Sequence, residues 1–234
     1  MMSENLFKCK HFESEIILLC VRWYLKYSLS YRNLVEMMSE RGLSISHTTI
    51  MRWVHEYSPI IDKKIRKYLK KTNDSWRVDE TYIKVKGEWK YLYRVVDSNG
   101  NTIDFYFSEK RNKQAAKNFF KKALSSIHNQ QPRMITVDKN KAYEVAIPEL
   151  IYGGVLTCRA GFRQVKYLNN IVEQDHRFIK RKIKSMIGFQ NFKTAQKTIC
   201  GIEIMNMIRK GQVEEIQCAL SEIQFINKIM GTTA

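Results

Sequence analysis

The sequence predicts an α/β protein in which an N-terminal, all-helical domain precedes a domain with a mixed sheet and flanking helices. Apolar residues recur every three or four positions in residues 12–57, a spacing that is typical of amphipathic helices. After Trp76 the spacing changes to the alternation expected of strands, and Asn99-Gly100 is a strong hairpin signal. Alternating strand-like and helical stretches follow, which favours helices packed on the faces of the sheet.

The composition indicates a folded, basic protein that binds a polyanion. Its 234 residues include 40 Lys+Arg against 23 Asp+Glu, which gives a formal net charge of +17. The 44% hydrophobic share is enough for a core and excludes a disordered polycation. Positive charge on a folded surface most often indicates nucleic acid, because contacts with phosphates release counterions.

Cysteine usage and hydropathy bear on the cellular compartment. The five cysteines are an odd number with no C-x-x-C pair, which argues against a disulfide framework or a zinc site. No apolar run approaches the roughly 18 residues that a membrane span needs, and the first residues carry no secretory signal. We therefore expect a cytoplasmic protein with reduced thiols and no membrane partner.

Residues 1–58 are predicted to form a helix-turn-helix DNA-binding domain. A first helix covers residues 12–27, Ser30 caps a second helix, and Gly42 ends that helix in a tight turn. The third helix covers about His47 to Tyr57 and would enter the major groove. A plain three-helix bundle is the alternative, because helix pairs joined by a glycine turn are common.

Two groups of residues in this part of the chain are predicted to contact DNA. The outward side of the third helix would read bases, and a basic linker at 59–74 would contact phosphates. The predicted base readers are Thr48, Thr49, Met51 and Arg52, and the predicted phosphate contacts are Lys63, Lys64, Arg66 and Lys67. A basic run of this kind is equally compatible with a solvated helix face.

The rest of the chain is divided into a sheet-containing domain at 75–212 and a helical tail at 213–234. The predicted strands are Arg77–Val85, Trp89–Val96, Thr102–Phe107, Arg133–Val137 and one around Val155–Thr157, and the predicted helices are Gln114–Ile127, Ala142–Leu150 and one from Asn169 toward Ile187. A further amphipathic helix carries Met205, Met207 and Ile208.

Three acidic residues lie where the predicted sheet brings strand ends together. Asp79 lies in the first strand, Asp138 follows the fourth, and Glu173 lies near the start of a basic helix. Three carboxylates there could hold two Mg²⁺ ions, with Mn²⁺ as a substitute, for an in-line displacement at phosphorus. Each acid could equally be a capping or surface carboxylate, so their positions alone are weak evidence.

The contexts of these acids resemble the D,D,E catalytic core of insertion-sequence transposases, a core of the ribonuclease H-like (retroviral-integrase-like) superfamily. Val78-Asp-Glu-Thr-Tyr82 matches the first block, Thr136-Val-Asp-Lys139 the second, and Lys166-Tyr-Leu-Asn-Asn-Ile-Val-Glu-Gln-Asp-His176 the third. The 34 residues between Asp138 and Glu173 are the spacing of a compact family that joins this core to an N-terminal helix-turn-helix.

Two further positions bear on the resemblance, which covers about residues 10–212. Lys180 lies seven residues after Glu173 and therefore on the same helix face, and the family carries a Lys or Arg there beside a phosphate. Asn140 is a departure from the family, whose members usually have a proline after the second acid.

The resemblance implies a transposase that acts on DNA at both ends of a mobile element. Its catalytic residues would be Asp79, Asp138, Glu173 and Lys180, the three acids would bind the metal ions, and Arg177, Lys180 and Arg181 would contact DNA. The enzyme would bind the terminal inverted repeats, nick each end to free a 3′-OH, and join that hydroxyl to target DNA, in replicative movement. Action on two ends suggests at least a homodimer.

Several neighbouring residues have supporting interpretations. Glu80 should point to the opposite face of the strand from Asp79, and His176 could either reach the site or pack beside it. Trp76, Trp89 and the tyrosines between them are expected in the core. Asp104 is expected to be a turn residue.

Two other functions remain open on the sequence. A helix-turn-helix transcriptional regulator without catalysis would explain the N-terminal helices and the charge, but not three matched acidic blocks. A ribonuclease H-like nuclease would keep the acids, but it would not need the N-terminal DNA reader.

Overall fold

The computed structural model describes residues 6–138, 140–165, 170–186 and 188–232. Within these residues the helices are α1 (Ser14–Lys26), α2 (Tyr31–Ser39), α3 (His47–Ile65), α4 (Lys113–Ser125), α5 (Lys141–Tyr152), α6 (Asn170–Lys184), α7 (Phe192–Arg209) and α8 (Ala219–Met230), and the strands are β1 (Ser75–Val85), β2 (Glu88–Asp97), β3 (Thr102–Ser108), β4 (Met134–Val137) and β5 (Gly161–Gln164). The predicted α/β class is confirmed. Lys139, residues 166–169 of the third acidic block, and Ile187 lie outside the described residues.

Contacts divide the chain into two compact units. The helical unit comprises Met1–Leu69, Arg181–Phe189 and Lys193–Ala234, and the sheet unit comprises Lys70–Lys180 and Gln190–Phe192. The helical unit therefore draws on both ends of the chain, whereas the sequence suggests boundaries near residues 58, 74 and 212. Among the described helices, none is long and apolar enough to cross a membrane.

Helices α2 and α3 begin where side chains satisfy their first free N–H groups. Ser30 Oγ accepts the Asn33 N–H at 3.1 Å, and Asn33 Oδ1 accepts the Ser30 N–H at 2.9 Å, which closes a capping box at the start of α2. Gly42 follows α2 with a φ of 74°. Ser46 Oγ then accepts the Thr49 N–H and caps α3. All three helices lie in the predicted regions of the chain.

Helix α3 is longer than the sequence predicts. It continues past Tyr57 and through Pro59 to Ile65, so the expected linker at 59–74 begins inside a helix. Pro59 removes one backbone N–H from the helix, but Ile61 and Ile65 remain buried on its inner side. The burial of this apolar face therefore outweighs the cost of the proline.

The second half of α7 is buried on all sides, so the prediction of an amphipathic helix is wrong. Every residue in 201–208 is buried, including the carboxyl-bearing Glu203. A Cβ added to Gly201 would lie 2.6–2.8 Å from side-chain atoms of Ser58 and Leu25. Helix α7 therefore runs through the interior of the helical unit, in close contact with α1 and α3.

Helix α8 joins the helical unit through a buried ion-pair cluster. Glu222 Oε1 accepts a hydrogen bond from Arg22 Nε at 2.6 Å, and its Oε2 accepts one from Lys26 Nζ at 2.7 Å. The Arg22 and Glu222 side chains are each only 5% exposed. Lys64 Nζ donates to the Ile229 carbonyl at 2.7 Å. The region at 213–234 thus contributes a helix that packs on α1 and α3.

The sheet unit contains a five-stranded mixed sheet in the order β3-β2-β1-β4-β5. Strands β1 to β3 are antiparallel, whereas β4 runs parallel to β1 and β5 runs parallel to β4. In the parallel pair Arg77 lies opposite Thr136. Two residues further along each strand come Asp79 and Asp138, which the sheet therefore brings to adjacent positions.

The fifth strand forms at Gly161–Gln164 rather than around Val155–Thr157, where the sequence predicts it. The N–H groups of Val155 and Leu156 both donate to the Leu150 carbonyl, at 2.9 and 3.1 Å. These two residues close the C-terminal end of α5, so they are not available to pair with β4.

The two faces of the sheet differ in character. One face carries Trp76 and Val78 into an apolar core with α4 and α5. The alternate residues of β1 include Asp79, which pairs in register with Arg94 of β2. Side chains of α6 contact both of these charged residues. The acidic site therefore lies on the face away from the apolar core.

Three structural interpretations from the sequence have different outcomes. Trp76 is fully buried, as predicted. Trp89 is 58% exposed and Tyr82, which lies between the two tryptophans, is 45% exposed, so the prediction that they belong to the core is wrong for both. They lie toward the Lys86-Gly87 turn, at the end of the hairpin away from the core. Asp104 is not a turn residue, since it is buried in β3 and accepts a hydrogen bond from Lys122 Nζ at 2.9 Å.

A buried lysine in the helical unit links its stability to pH. Lys182 is 2% exposed, its Nζ donates to the Tyr27 carbonyl, and it lies 4.9 Å from the centroid of the Tyr24 ring. Burial lowers the pKa of Lys182 to about 8 from its ordinary value of 10.5. Between these pH values the unfolded chain binds the proton that the folded chain releases, so the free energy of unfolding rises with pH.

We expect Lys182→Met to flatten this rise and to stabilise the protein by about 1–3 kcal/mol at neutral pH, because the ammonium group no longer has to be desolvated. Urea unfolding between about pH 7 and pH 10 measures both effects. Lys184→Met, at an exposed position on the same helix, should leave the pH slope unchanged. A pH slope that Lys182→Met leaves the same as in wild type would contradict the assignment.

Glu222→Ala should destabilise the helical unit by about 3–5 kcal/mol, because it leaves the Arg22 guanidinium buried without its carboxylate. Glu215→Ala is the matched control. Glu215 pairs with Lys228 at 2.7 Å on the surface, and exposed pairs of this kind contribute at most about 1 kcal/mol. Urea unfolding followed by circular dichroism measures both variants, and equal losses would show that the buried cluster has no special role.

Candidate active site

Asp79 and Asp138 occupy adjacent positions in the parallel pair of strands β1 and β4. Asp79 lies within β1 with a side chain that is 15% exposed, whereas Asp138 follows the last residue of β4 and is more open. The strand pairing, and not proximity in the sequence, brings these two carboxyl groups together.

Helix α6 contributes the third predicted acid. Glu173 lies in its first turn and is exposed. Glu173 and Asp79 line the same cavity of about 570 Å³, together with the cations of Arg177 and Lys180. Asp138 adjoins Asp79 but is not among the residues that line this cavity. The lining of the cavity therefore contains both carboxylates and exposed cations.

The three acids are close enough for their charges to interact. The pKa of Asp79 is raised to about 7, first by burial and then by the negative charges of Asp138, Glu80 and Glu173. Across the described residues, however, no three His, Cys, Asp or Glu side chains surround a single point. The acids thus form an electrostatic cluster and not a closed chelate.

His176 packs against Asp79 as a neutral ring. Its Nδ1 lies 3.5 Å from Asp79 Oδ2, and the side chain is only 5% exposed. Burial, and then the positive charges of Arg94 and Lys180, lower the pKa of His176 to about 3. Its Nε2 is buried and has no hydrogen-bond partner among the described residues. The ring therefore supports Asp79 by contact and carries no charge at neutral pH.

Arg94 is a residue of the site that the sequence analysis missed. It is fully buried on β2 opposite Asp79, and its Nη2 donates to Asp175 Oδ2 at 2.6 Å. This ion pair ties α6 to the sheet beside the acids. The sequence does show a single arginine within the otherwise apolar strand Tyr91–Val96. That this arginine faces Asp79 follows only once the register of the hairpin is known.

Glu80 points to the other face of β1 and organises the loop after β4. Its Oε2 accepts a hydrogen bond from Arg111 Nε at 2.5 Å, and its Oε1 accepts one from Asn140 Nδ2 at 2.8 Å. Arg111 Nη2 lies 3.9 Å from Asp138 Oδ2. Arg111, which the sequence analysis also missed, therefore balances Glu80 and extends toward the second acid.

Asn140 connects the second acid to this network. Its backbone N–H donates to Asp138 Oδ1 at 3.1 Å, and its Oδ1 accepts the Ala142 N–H at 3.0 Å as the N-cap of α5. A proline at this position could make neither side-chain hydrogen bond. Asn140 therefore has a structural function in this chain.

The predicted base readers lie at the start of α3 in the helical unit. Thr48 and Arg52 are exposed, whereas Thr49 and Met51 are half-buried. Both threonine hydroxyls are within hydrogen-bond distance of Ser46 Oγ, at 2.9 and 2.8 Å. Arg52 is thus the predicted base reader with the longest exposed side chain.

The predicted phosphate contacts fall into two groups. Lys64 donates to the Ile229 carbonyl and Arg66 pairs with Asp62 at 3.0 Å, so both already have partners within the fold. The exposed members are Lys63, Lys67, Arg177, Lys180 and Arg181.

Comparison with known proteins supports a single family. The DDE domain family DDE_Tnp_IS240 matches residues 73–212. The transposase for insertion sequence-like element IS431mec of Staphylococcus aureus is 38% identical over 216 residues, which cover 91% of this chain and 92% of that protein. The transposase for insertion sequence element IS257 in transposon Tn4003, also from Staphylococcus aureus, has the same identity and coverage.

Solved structures give a weaker likeness. The HTLV-2 integrase catalytic core domain in complex with magnesium is 18% identical, covers 69% of this chain and 85% of that chain, and superposes with a TM-score of 0.39. Likeness at this level has no weight here, whereas the family match spans more than half of the chain and the curated relatives span nearly all of it. This chain belongs to the DDE-domain family of insertion-sequence transposases.

Proposed function

We propose that this transposase nicks one DNA strand at each end of its insertion sequence and joins the freed 3′-OH to target DNA. The observation that carries the proposal is the parallel register of β1 and β4, in which Asp79 adjoins Asp138, with Glu173 lining the same cavity as Asp79. Both steps are displacements at phosphorus, so one acidic site serves both.

The three carboxylates fit divalent ions, either two Mg²⁺ or Mn²⁺ in their place. Their oxygens are the hard ligands that Mg²⁺ prefers. The mutual repulsion that contributes to the raised pKa of Asp79 would also be relieved by a cation. Asp79, Asp138 and Glu173 would hold the ions, which would supply activation of the attacking oxygen and charge stabilisation of the leaving oxygen.

Other residues of the sheet unit bind and position the reacting groups. Lys180 and Arg177 are exposed at the cavity, where they neutralise the phosphate that is attacked. His176 fixes the orientation of Asp79 by contact, and Glu80 fixes Asp138 through Asn140. None of these side chains has to form a covalent bond with DNA.

The helical unit recognises the terminal inverted repeats. Base readout comes from Thr48, Thr49, Met51 and Arg52 at the N-terminal part of α3, in the manner of a helix-turn-helix. Lys63, Lys67 and Arg181 contact phosphates. Two element ends and a target duplex have to be held together, so the active form is at least a dimer, and the protein works at the nucleoid in the cytoplasm.

We expect Asp79→Asn, Asp138→Asn and Glu173→Gln each to abolish both nicking and joining, because each removes one ligand charge from the site. Binding of the element ends should remain within about threefold of wild type, since these changes leave the side chains of α3 that are proposed to read bases intact. The measurement is a gel assay with labelled duplexes that carry the inverted repeats flanking the gene, in Mg²⁺.

Glu109→Gln is the control for this series, because Glu109 is an exposed acid of the sheet unit that does not line the cavity. It should cut and join like wild type. Specific end binding without any cutting by the wild-type protein would instead support a transcriptional regulator. Cutting that never proceeds to joining would support a nuclease.

Mg²⁺ should raise the melting temperature of the wild-type protein, and removal of metal with EDTA should reverse the rise. A saturating ion stabilises the folded state by about 2.7 kcal/mol at a hundred times its dissociation constant. Asp79→Asn should show a higher melting temperature than wild type in EDTA, because a crowded, buried carboxyl is gone, and little further rise with Mg²⁺. Differential scanning calorimetry measures both; equal metal responses in the two proteins would exclude Asp79 as a ligand.

A further inference from the structure

Three aromatic side chains form a surface at the turn end of the β1–β2 hairpin. Trp89 is 58% exposed and Tyr82 is 45% exposed, which is unusual for large aromatic side chains. The ring centroid of Tyr82 lies 6.5 Å from that of Trp89 and 5.5 Å from that of Tyr91, in edge-on arrangements. We name Tyr82, Trp89 and Tyr91 the hairpin aromatic surface.

Cations lie against this surface. Lys84 Nζ lies 5.7 Å from the Trp89 ring centroid, and the Arg111 guanidinium carbon lies 5.9 Å from the Tyr82 ring centroid. Aromatic faces beside positive side chains are the combination that binds single-stranded nucleic acid, because the bases stack while the cations meet the phosphates.

The hairpin aromatic surface lies on the Glu80 face of the hairpin, opposite the side chain of Asp79, and meets the acidic site at its edge. Tyr82 is the aromatic residue of the three that lines the same cavity as Asp79 and Glu173. Arg111, which lies over Tyr82, has its Nη2 3.9 Å from Asp138 Oδ2. A DNA strand that leaves the acids past Asp138 and Arg111 therefore meets Tyr82 first and Trp89 after it.

We propose that the hairpin aromatic surface binds unpaired bases next to the phosphate that reacts, with one base on Trp89 and another on Tyr82. The proposal rests on the proposed function, because that function supplies the DNA strand. The rings of Tyr82 and Trp89 are nearly perpendicular, at 82°, so they offer two separate positions and not one continuous platform. A base inside a duplex has both faces covered by its neighbours and cannot stack on these rings, so the surface selects strands that are frayed, nicked or single-stranded.

The charge of the surface favours this occupant over a second copy of the chain. Residues 82–91 carry three lysines (Lys84, Lys86 and Lys90) against one acid, Glu88, in a protein whose formal net charge is +17, and Arg111 lies over Tyr82. Two such surfaces would repel each other, whereas a DNA backbone is attracted by them.

The test uses full-length protein in EDTA, so that binding is read without chemistry. The probes are a thymidine oligonucleotide of about ten residues with one central 2-aminopurine, the same oligonucleotide with abasic sites, and a fully paired duplex of equal length. Trp89→Ala should weaken binding of the single strand about 5- to 150-fold, which corresponds to the loss of one stacked base, and Tyr82→Ala should act similarly. Duplex binding should change less than about threefold, and Trp89→Phe should restore most of the affinity.

Tyr152→Ala is the matched control, since Tyr152 is 97% exposed on the same unit but does not line the cavity. It should leave single-strand binding unchanged. The proposal is overturned if Tyr152→Ala and Trp89→Ala weaken binding equally, if the Trp89→Ala loss persists on the abasic oligonucleotide, or if Trp89→Ala converts an oligomer to monomers in sedimentation without changing DNA affinity.

Failure of the proposed function is read separately from the same preparation. Wild-type protein that binds the single strand through Trp89 but never cuts inverted-repeat duplexes in Mg²⁺ would retain the stacking surface and lose the transposition chemistry. If the wild-type protein cuts and joins normally but Trp89→Ala binds every probe as wild type does, the transposition chemistry stands and the stacking surface is overturned.

Discussion

The parallel pairing of β1 with β4 is the contact on which the acidic site depends. It brings Asp79 and Asp138 to adjacent positions, where burial and like charge both oppose the ionisation of Asp79. The same register pairs Trp76 with Ile135, and both residues are completely buried in the core formed with α4 and α5. A slip of one residue would turn these apolar side chains toward the acidic face, so the core fixes the register that crowds the carboxyl groups.

The cations around the acids are held by partners outside the trio. Arg94 pairs with Asp175, and Arg111 pairs with Glu80. Each guanidinium group contacts a carboxylate outside the trio, at 2.6 Å for Arg94 and 2.5 Å for Arg111, and Arg111 also approaches a member of the trio, Asp138, at 3.9 Å. The proposed function needs this balance, because the trio has to keep negative charge for divalent ions while the exposed Lys180 stays open to a phosphate. The arginines that position the structure around the site are therefore different residues from the acids and the lysine that are proposed to act in it.

Local patterns in the sequence predict the elements well, and they fail where distant contacts decide. Alternation and motif context locate Asp79 on a strand, and both depend only on neighbouring residues. The sequence misses the end of α3 because the burial of its inner face outweighs the effect of Pro59. It misplaces β5 because the N–H groups of Val155 and Leu156 bond to the end of α5 and do not pair with a strand. The importance of Arg94 emerges only from the hairpin register. The exposure of Trp89 depends on where α4 and α5 stop covering the sheet.

The buried pair of Arg22 and Glu222 joins residues that are 200 positions apart, with consequences for how the protein is made. At about 5–20 residues per second, a ribosome needs roughly 10–40 s to pass from one to the other. Throughout that time the nascent first helices lack the helix that covers them, and the guanidinium of Arg22 stays hydrated. The helical unit, which we propose to recognise the element ends, is thus among the first parts of the protein to be synthesised and among the last to mature.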